Sequence, residues 1–232
     1  MSTADRVLGE MQSIGPSIRP SSIADTVYDA IYQRLMSLEI APGSRMPIDV
    51  IARELNVSQT PVREAMSRLE SEGLVRKAHL IGYSAAPQRS RRQFEDLFAF
   101  RLLLEPEAAR LATLNMTPGA LQQLEMAALD MGQGTPAVDR NSRYSRFART
   151  DAQFHDRILE IAGNEVLRRA LADQHIHLHL FRLLFHTRVT QEALEEHEGL
   201  LAAFRLADPA LAEARMRDHI TRSRDRLMTA FD

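Results

Sequence analysis

Helix-length segments fill the chain from residue 92 onward, and this uniform periodicity limits the possible folds more than any other sequence feature. Thr117-Pro118 and Asp208-Pro209 are typical helix starts, and Gly132 and Gly163 are typical helix ends. No alternating, strand-like segment interrupts the pattern. The sequence therefore predicts an all-helical bundle with helices over 92–114, 117–132, 138–162, 164–186, 189–206 and 208–231.

A second pattern precedes the bundle. An amphipathic helix is predicted from Ser22, with one apolar face formed by Ile23, Val27, Ile31, Leu35 and Met36. After the breaker at 41–43, a short helix over 48–55 ends at Asn56. The next helix starts at Ser58 or Gln59 and carries Pro61 in its first turn, where a missing N–H costs nothing. Two helices joined by a tight turn predict a helix-turn-helix.

Two short strands follow, over 74–77 and 83–86, with a turn between them. This hairpin is typical of the wing of a winged helix. The predicted fold is thus mainly α, with an N-terminal winged helix-turn-helix and a C-terminal all-helical bundle. We predict a flexible tail over 1–18, a DNA-binding domain over 19–87, a linker over 88–93 and an effector-binding and dimerisation domain over 94–232.

Composition restricts the location and chemistry of the protein. The 232 residues include no cysteine, so disulfides and thiolate metal sites are excluded. No apolar run approaches the ~20 residues that span a membrane, and the start lacks a signal-peptide pattern. We therefore expect a cytoplasmic protein without a membrane partner. The net charge of −2 argues against non-specific coating of nucleic acid, but it allows a local basic face.

One aspartate and three histidines form a candidate metal site. Asp151 and His155 are four residues apart, so they share one face of a helix. His197 and His219 lie in two later helices. A carboxylate and three imidazoles suit a single divalent transition metal. Polar residues that are solvated or satisfied within the core would show the same spacing, so spacing alone leaves both interpretations open.

The sequence VSQTPVREAM at 57–66, with Pro42-Gly43 before it and Gly73-Leu74-Val75 after it, resembles the GntR family of bacterial transcription regulators. The later segments DLFAFRLLLEPEAARLA, DAQFHDRILEIAGN, EEHEGLLAAF and MRDHI resemble the FCD effector domain of its FadR-type subfamily. The resemblance implies that Asp151, His155, His197 and His219 bind one metal in the bundle. Zinc is the first expectation, and nickel, manganese or iron also fit the ligands. It further implies that Arg101 holds an effector carboxylate, against the alternative of an interhelix ion pair.

Within this motif the start of the recognition helix is expected to face DNA. The family usually has Arg where this chain has Gln59, and Gln reads adenine whereas Arg prefers guanine. Further contacts are expected from the wing and from neighbouring arginines. The complete set of predicted DNA-binding residues is Arg45, Ser58, Gln59, Thr60, Arg63, Arg68, Lys77, His79 and Gly82.

These patterns together predict a ligand-responsive repressor. It is expected to bind a pseudo-palindromic double-stranded operator as a homodimer and to respond to a small organic acid. Two alternatives use the same metal cluster: a hydrolase, with Glu160 or Glu196 as a general base, and a regulator whose metal is purely structural. His175, His177 and His179 do not have metal-ligand spacing; one is expected to line the cavity and most to be packing or surface residues.

Overall fold

The computed structural model describes residues 22–132, 140–183 and 190–231. The predicted tail over 1–18 and the predicted helical residues 138–139, 184–186 and 189 lie outside this part of the chain. The described elements are α1 (Ile23–Met36), α2 (Ile48–Glu54), α3 (Gln59–Ser71), β1 (Val75–Ala78), β2 (Gly82–Ala85), α4 (Arg91–Leu114), α5 (Pro118–Gly132), α6 (Arg140–Ala162), α7 (Glu165–Ala172), α8 (Ile176–Leu183), α9 (Thr190–Arg205), α10 (Pro209–Met228) and a terminal 3₁₀ turn, Thr229–Phe231.

Helix α1 begins where its sequence provides a reciprocal cap. The Ser22 hydroxyl accepts from the Asp25 backbone N–H, and the Asp25 carboxylate accepts from the Ser22 N–H, each at 3.1 Å. Val27, Ile31 and Leu35 are buried as expected. Ile23 is instead 65% exposed, because it occupies the first position of the helix, beyond the packed face.

The N-terminal half has the predicted helix-turn-helix. Asn56 separates α2 from α3 with a left-handed φ of 51°, as the sequence indicates. Helix α3 buries Val62, Met66 and Leu69 against α1 and α2. This packing leaves the opposite face of α3 exposed at the surface of the domain.

The wing is a two-stranded antiparallel hairpin in which Val75 pairs with Ala85 and Ala78 with Gly82. An isolated bridge from Arg45 to Ser84 attaches the loop before α2 to the outer strand. Together with the helical bundle formed by α4–α10, this arrangement confirms the predicted fold class. In the bundle, α4 packs mainly against α10 and α6, and α5 lies against α6 and α9.

The predicted helix over 164–186 is wrong in one respect, because a turn at 173–175 divides it into α7 and α8. His175 takes a left-handed φ of 48°, and its N–H bonds to the Ala172 carbonyl at 3.0 Å. Tertiary contacts stabilise this break. The Gln174 carbonyl accepts from Arg89 at 2.7 Å, and the His175 ring occupies the space left beside Gly73.

Helix α4 begins at Arg91, one residue before the predicted start at 92. Ser90 caps it and forms a reciprocal capping box with Gln93, so Arg91–Gln93 of the predicted linker are helical. The domain limits themselves stay a prediction. Contacts also join the two halves directly: the Tyr32 hydroxyl donates to the Ser145 carbonyl at 3.3 Å, and the Arg149 guanidinium lies 4.5 Å from the centre of the Tyr32 ring.

Candidate functional site

The bundle brings together the four residues of the predicted metal site. Asp151 and His155 project from α6, His197 from α9 and His219 from α10, and each is at most 4% exposed. The ring centres of His155, His197 and His219 are 4.8–5.4 Å apart. The Asp151 Oδ1 lies 3.4 Å from the His197 Nε2. Three helices thus bring the three imidazoles together, and Asp151 adjoins this group through His197.

Unpartnered nitrogens give this cluster its capacity for a ligand. The Nε2 of His155 and both ring nitrogens of His197 are buried and have no hydrogen-bond partner in the described part of the protein. Buried polar atoms are normally satisfied, so orphaned imidazole nitrogens call for a partner. One ring nitrogen from each of His155, His197 and His219 lies within 4.8 Å of the others. These residues fit a divalent metal.

Two carboxylates fix the orientation of the His155 and His219 imidazoles. The Glu105 Oε2 lies 3.0 Å from the His155 Nδ1, and the Glu196 Oε2 lies 2.9 Å from the His219 Nδ1. Each contact leaves Nε2 as the nitrogen that faces the cluster. Carboxylates in this position orient metal-binding histidines and raise their basicity. Sequence reasoning missed Glu105 and considered Glu196 only as a general base.

The protonation states also suit a cation. Burial lowers the pKa of His155, His197 and His219, so these rings are neutral near pH 7. Burial raises the pKa of Asp151, but the hydrogen bond from His177 and the nearby imidazoles outweigh that effect, and the pKa lies below its ordinary value. Neutral imidazoles and an ionised carboxylate are the forms that bind metals, so little protonation opposes binding.

His177 is an additional member of the cluster that sequence spacing did not identify. Its Nδ1 lies 2.8 Å from the Asp151 Oδ2, and its ring centre is 4.4 Å from that of His155. With Glu105 and His155 it forms a second group whose ligand atoms lie within 4.8 Å of one another. One of the three alternate histidines at 175–179 therefore lines the site, as expected. The sequence does not indicate which of the three lines the site. The packing of α8 against α6 shows that it is His177.

Arg101 lies next to the cluster, because it pairs with Glu105. This pair differs from the interhelix ion pair that was the predicted alternative. The Arg101 Nε lies 2.5 Å from the Glu105 Oε1 and its Nη2 3.1 Å from the Oε2. The pair is buried and lies within α4, one turn apart, so it is not an interhelix ion pair. A role for Arg101 in effector binding stays a prediction. Its observed contact holds the carboxylate that orients His155.

A cavity of about 220 Å³ lies beside the cluster, between α9 and α10. His219 and Glu196 contribute to its wall, so the cavity reaches the outermost ligand of the candidate metal site. Its other lining residues are mostly charged: Glu192, Glu195, Gly199, Arg215, Asp218, Arg222 and Arg226. Arg226 holds Glu196 through two nitrogens, at 2.6 and 2.8 Å.

The start of α3 presents the predicted DNA-reading residues. Ser58, Gln59, Thr60 and Arg63 are all exposed. The Ser58 side chain makes no capping hydrogen bond, so its hydroxyl is available to another acceptor or donor. The Arg63 Nη2 donates to the Gln59 Oε1 at 3.1 Å, and this contact pre-orients both side chains.

The other predicted DNA contacts lie on or beside the wing, except Arg68, which is exposed on α3 but engaged with other side chains. Lys77, His79 and Gly82 are exposed on the hairpin, and Arg45 is exposed beside it. Arg68 instead pairs with Asp25 at 2.7 Å and lies 4.1 Å from the centre of the Tyr28 ring. Asp25 therefore competes with a DNA phosphate for this guanidinium.

Comparison with known proteins identifies the family. A model described as the FCD domain matches residues 96–222, and one described as bacterial regulatory proteins, gntR family, matches residues 23–83. The chain is a GntR-family transcriptional regulator with an FCD domain. This membership confirms the predicted family and the prediction that the chain is not an enzyme, so the hydrolase alternative is wrong.

Relatives of the GntR regulator match along most of its length. The HTH-type transcriptional regulator LutR of Bacillus subtilis is 27% identical over 218 residues, or 84% of this chain and 96% of the relative. A probable D-xylose utilization operon transcriptional repressor of Paenarthrobacter nicotinovorans is 26% identical, with 90% and 91% covered. The structure of E. coli McbR/YncC aligns with a TM-score of 0.67 at 21% identity, covering 92% of this chain and all of that one, and shows the same fold.

None of the described helices has both the length and the apolar character that crossing a bilayer requires.

Proposed function

We propose that this GntR regulator is a repressor whose operator affinity is controlled by a small organic acid bound in a metal-containing pocket of its helical domain. The buried Asp151–His155–His197–His219 cluster carries the proposal, because it lies in the same chain as an exposed recognition helix. The relative from Paenarthrobacter, named as a probable repressor, supports the direction of control. The protein would act in the cytoplasm, where the operator lies.

Asp151, His155, His197 and His219 would hold the metal, and zinc is the first expectation. Nickel, manganese and iron suit the same nitrogen and oxygen donors. The bound metal would supply a Lewis-acidic centre for the oxygens of an organic acid. Glu105 and Glu196 keep His155 and His219 oriented for this task. The cavity beside His219 is large enough for a small acid and offers Arg215 and Arg222 as cationic partners.

On DNA, two copies of the chain would place their α3 helices in successive major grooves of a pseudo-palindromic operator. Gln59, Thr60 and Arg63 occupy the exposed start of α3, from which base edges and phosphates are read. The organic acid must bind one dimer geometry more tightly than the other in order to change operator affinity. A coupling free energy of about 1–3 kcal/mol would change this affinity several-fold or more.

Fluorescence anisotropy with the fragment upstream of the protein's own gene tests DNA recognition. The expected result is tight, salt-dependent binding to that fragment and much weaker binding to a shuffled fragment of equal length. Equal affinity for both fragments would show that the chain does not read sequence. Sedimentation of the complex would give the number of protein copies on each operator.

A metal assay and a ligand screen test the pocket. Elemental analysis should find about one divalent ion per chain in wild type, and none in the His197→Ala/His219→Ala double variant. Organic acids that raise the melting temperature should do so only when the metal is present. If the double variant loses folding stability without any ligand, the metal is structural. If it folds normally and loses only the response, the metal serves sensing.

A further inference from the structure

Three arginines and two histidines meet at the junction between the wing and the bundle. They come from β1, from the segment before α4, from the turn before α8 and from α8 itself: Arg76, Arg89, His175, His179 and Arg182. Arg182 is 0% exposed. Its Nη2 donates to the Ala86 carbonyl, just beyond the wing, at 3.1 Å. This contact joins α8 to the DNA-binding domain.

The remaining donors of Arg182 have no partner. Its Nε and Nη1 are buried and make no hydrogen bond in the described part of the chain. Across 22–132, 140–183 and 190–231, no carboxylate pairs with Arg76, Arg89 or Arg182. Arg89 donates to the Gln174 carbonyl, and Asp173 acts electrostatically on His175. A buried guanidinium is strongly unfavourable unless it is paired.

The protonation states of these side chains add to the excess of positive charge at the junction. Burial lowers the pKa of Arg182 to about 10, so this side chain stays cationic near pH 7. Burial and the charges of Arg89 and Arg182 lower the pKa of His179 to about 3, so His179 is neutral there. Positive charge therefore collects around a neutral, buried imidazole. Arg89 is half-buried and Arg76 is exposed, so the group extends to the surface.

We propose that this interdomain junction binds a small free oxyanion, a phosphate or a carboxylate, through the unpartnered N–H groups of Arg182, with Arg89 at the entrance. Guanidinium donors suit both oxyanions. The site shares no residue with the metal cluster and does not depend on the proposed sensing role. Since Arg182 contacts Ala86, the bound anion would fasten α8 to the DNA-binding domain and would influence how the two domains are oriented.

A thermal-unfolding titration of the full-length protein as purified tests the proposal, with phosphate, acetate and chloride in separate series. The expected result is a saturable rise in melting temperature with phosphate or acetate, about 2–4 °C at several times the Kd, and none with chloride. The phosphate and acetate arms distinguish the two oxyanions. A purely linear rise, common to every variant, is a general salt effect and would overturn the proposal.

Three variants locate the binding. Arg182→Met should abolish the saturable response, and without anion it should be at least as stable as wild type, because an apolar side chain replaces an unpaired charge. Arg89→Gln should weaken binding about tenfold or more while the fold is kept. Arg169→Met removes an exposed arginine that pairs with Glu165 and should respond like wild type. A wild-type response in both Arg182→Met and Arg89→Gln would overturn the assignment.

Discussion

The Nδ1 of His177 lies 2.8 Å from the Asp151 Oδ2, so a histidine of α8 holds the only carboxylate among the predicted metal ligands. The contact fixes the orientation of both side chains. Asp151 keeps its Oδ1 toward His197, at 3.4 Å from the Nε2, while its Oδ2 is occupied by the imidazole. His177 is thus placed to position a predicted metal ligand.

His177→Ala should weaken metal binding by about 10- to 100-fold, since loss of a group that orients a ligand typically has this effect. Isothermal titration with zinc measures the change. The exposed wing variant His79→Ala is the matched control and should bind zinc as wild type does. Unchanged zinc affinity in His177→Ala would show that His177 does not orient Asp151 for metal binding.

Gly73→Ala should destabilise the protein by about 1–3 kcal/mol. Gly73 has a φ of +71°, and the His175 ring already fills the position of an added Cβ. Gly119→Ala is the contrasting control, because a Cβ there meets open space within a helix, and it should leave stability unchanged or slightly higher. Urea unfolding of both variants gives the comparison. Equal effects at the two positions would argue against the Gly73–His175 contact.

His179 should make folding stability depend on pH below neutrality. Its pKa is about 3 in the folded protein, below the ordinary value of 6.5, because it is buried beside cations. The unfolded chain therefore takes up a proton that the folded chain refuses, and stability is lost as the pH falls from 6.5 toward 3. Above pH 6.5 this histidine contributes no pH dependence.

The corresponding variant is His179→Gln. Both proteins should become less stable between pH 7 and pH 5. The free energy of unfolding should fall by up to about 2 kcal/mol less in the variant than in wild type. Chemical denaturation at a series of pH values measures this difference. His79→Gln, which alters an exposed histidine, should follow the wild-type curve. Parallel curves for wild type and His179→Gln would contradict the prediction.

Arg63→Ala should weaken operator binding and lower the slope of log K against log salt by about 0.9, the effect of one phosphate contact. Anisotropy titrations at several salt concentrations provide both values. Arg169→Ala removes an equal charge from the exposed face of α7 and should change neither. A lower affinity with an unchanged salt slope would indicate that Arg63 reads a base instead of a phosphate.

Gln59→Arg should move base preference at one operator position from adenine to guanine. Gln59 is exposed at the first position of the recognition helix and accepts from Arg63, so the variant also releases that arginine. Selection from a randomised half-site, followed by sequencing, compares the two proteins. Identical selected sites would remove Gln59 from the base-reading residues.

Sequence reasoning predicted the features that depend on local pattern. Helical periodicity, the left-handed Asn56 and the four-residue spacing of Asp151 and His155 all follow from nearby residues. The convergence of His197 and His219 with them came from the family resemblance. The contributions of Glu105, Glu196 and His177 depend on packing between distant helices, which spacing within one helix does not encode.

The break between α7 and α8 escaped prediction for a related reason. The segment around 173–175 contains neither glycine nor proline, so no local signal interrupts the helical pattern. The turn is held by partners from elsewhere, Gly73 and Arg89. The placement of the predicted metal ligands Asp151 and His155 is unaffected, because both lie on α6, but the position of His177 depends on where α8 starts.

The shortness of α8 has a geometric consequence. His177 and Arg182 are five residues apart, which on an α-helix is about 7.5 Å along the axis and about 140° around it. One contacts Asp151 in the bundle, and the other contacts Ala86 at the end of the wing. If α8 moved as a rigid body together with Asp151, the distance between Arg182 and Ala86 would change as well. The eight residues of α8 thus contact both the buried cluster and the end of the wing.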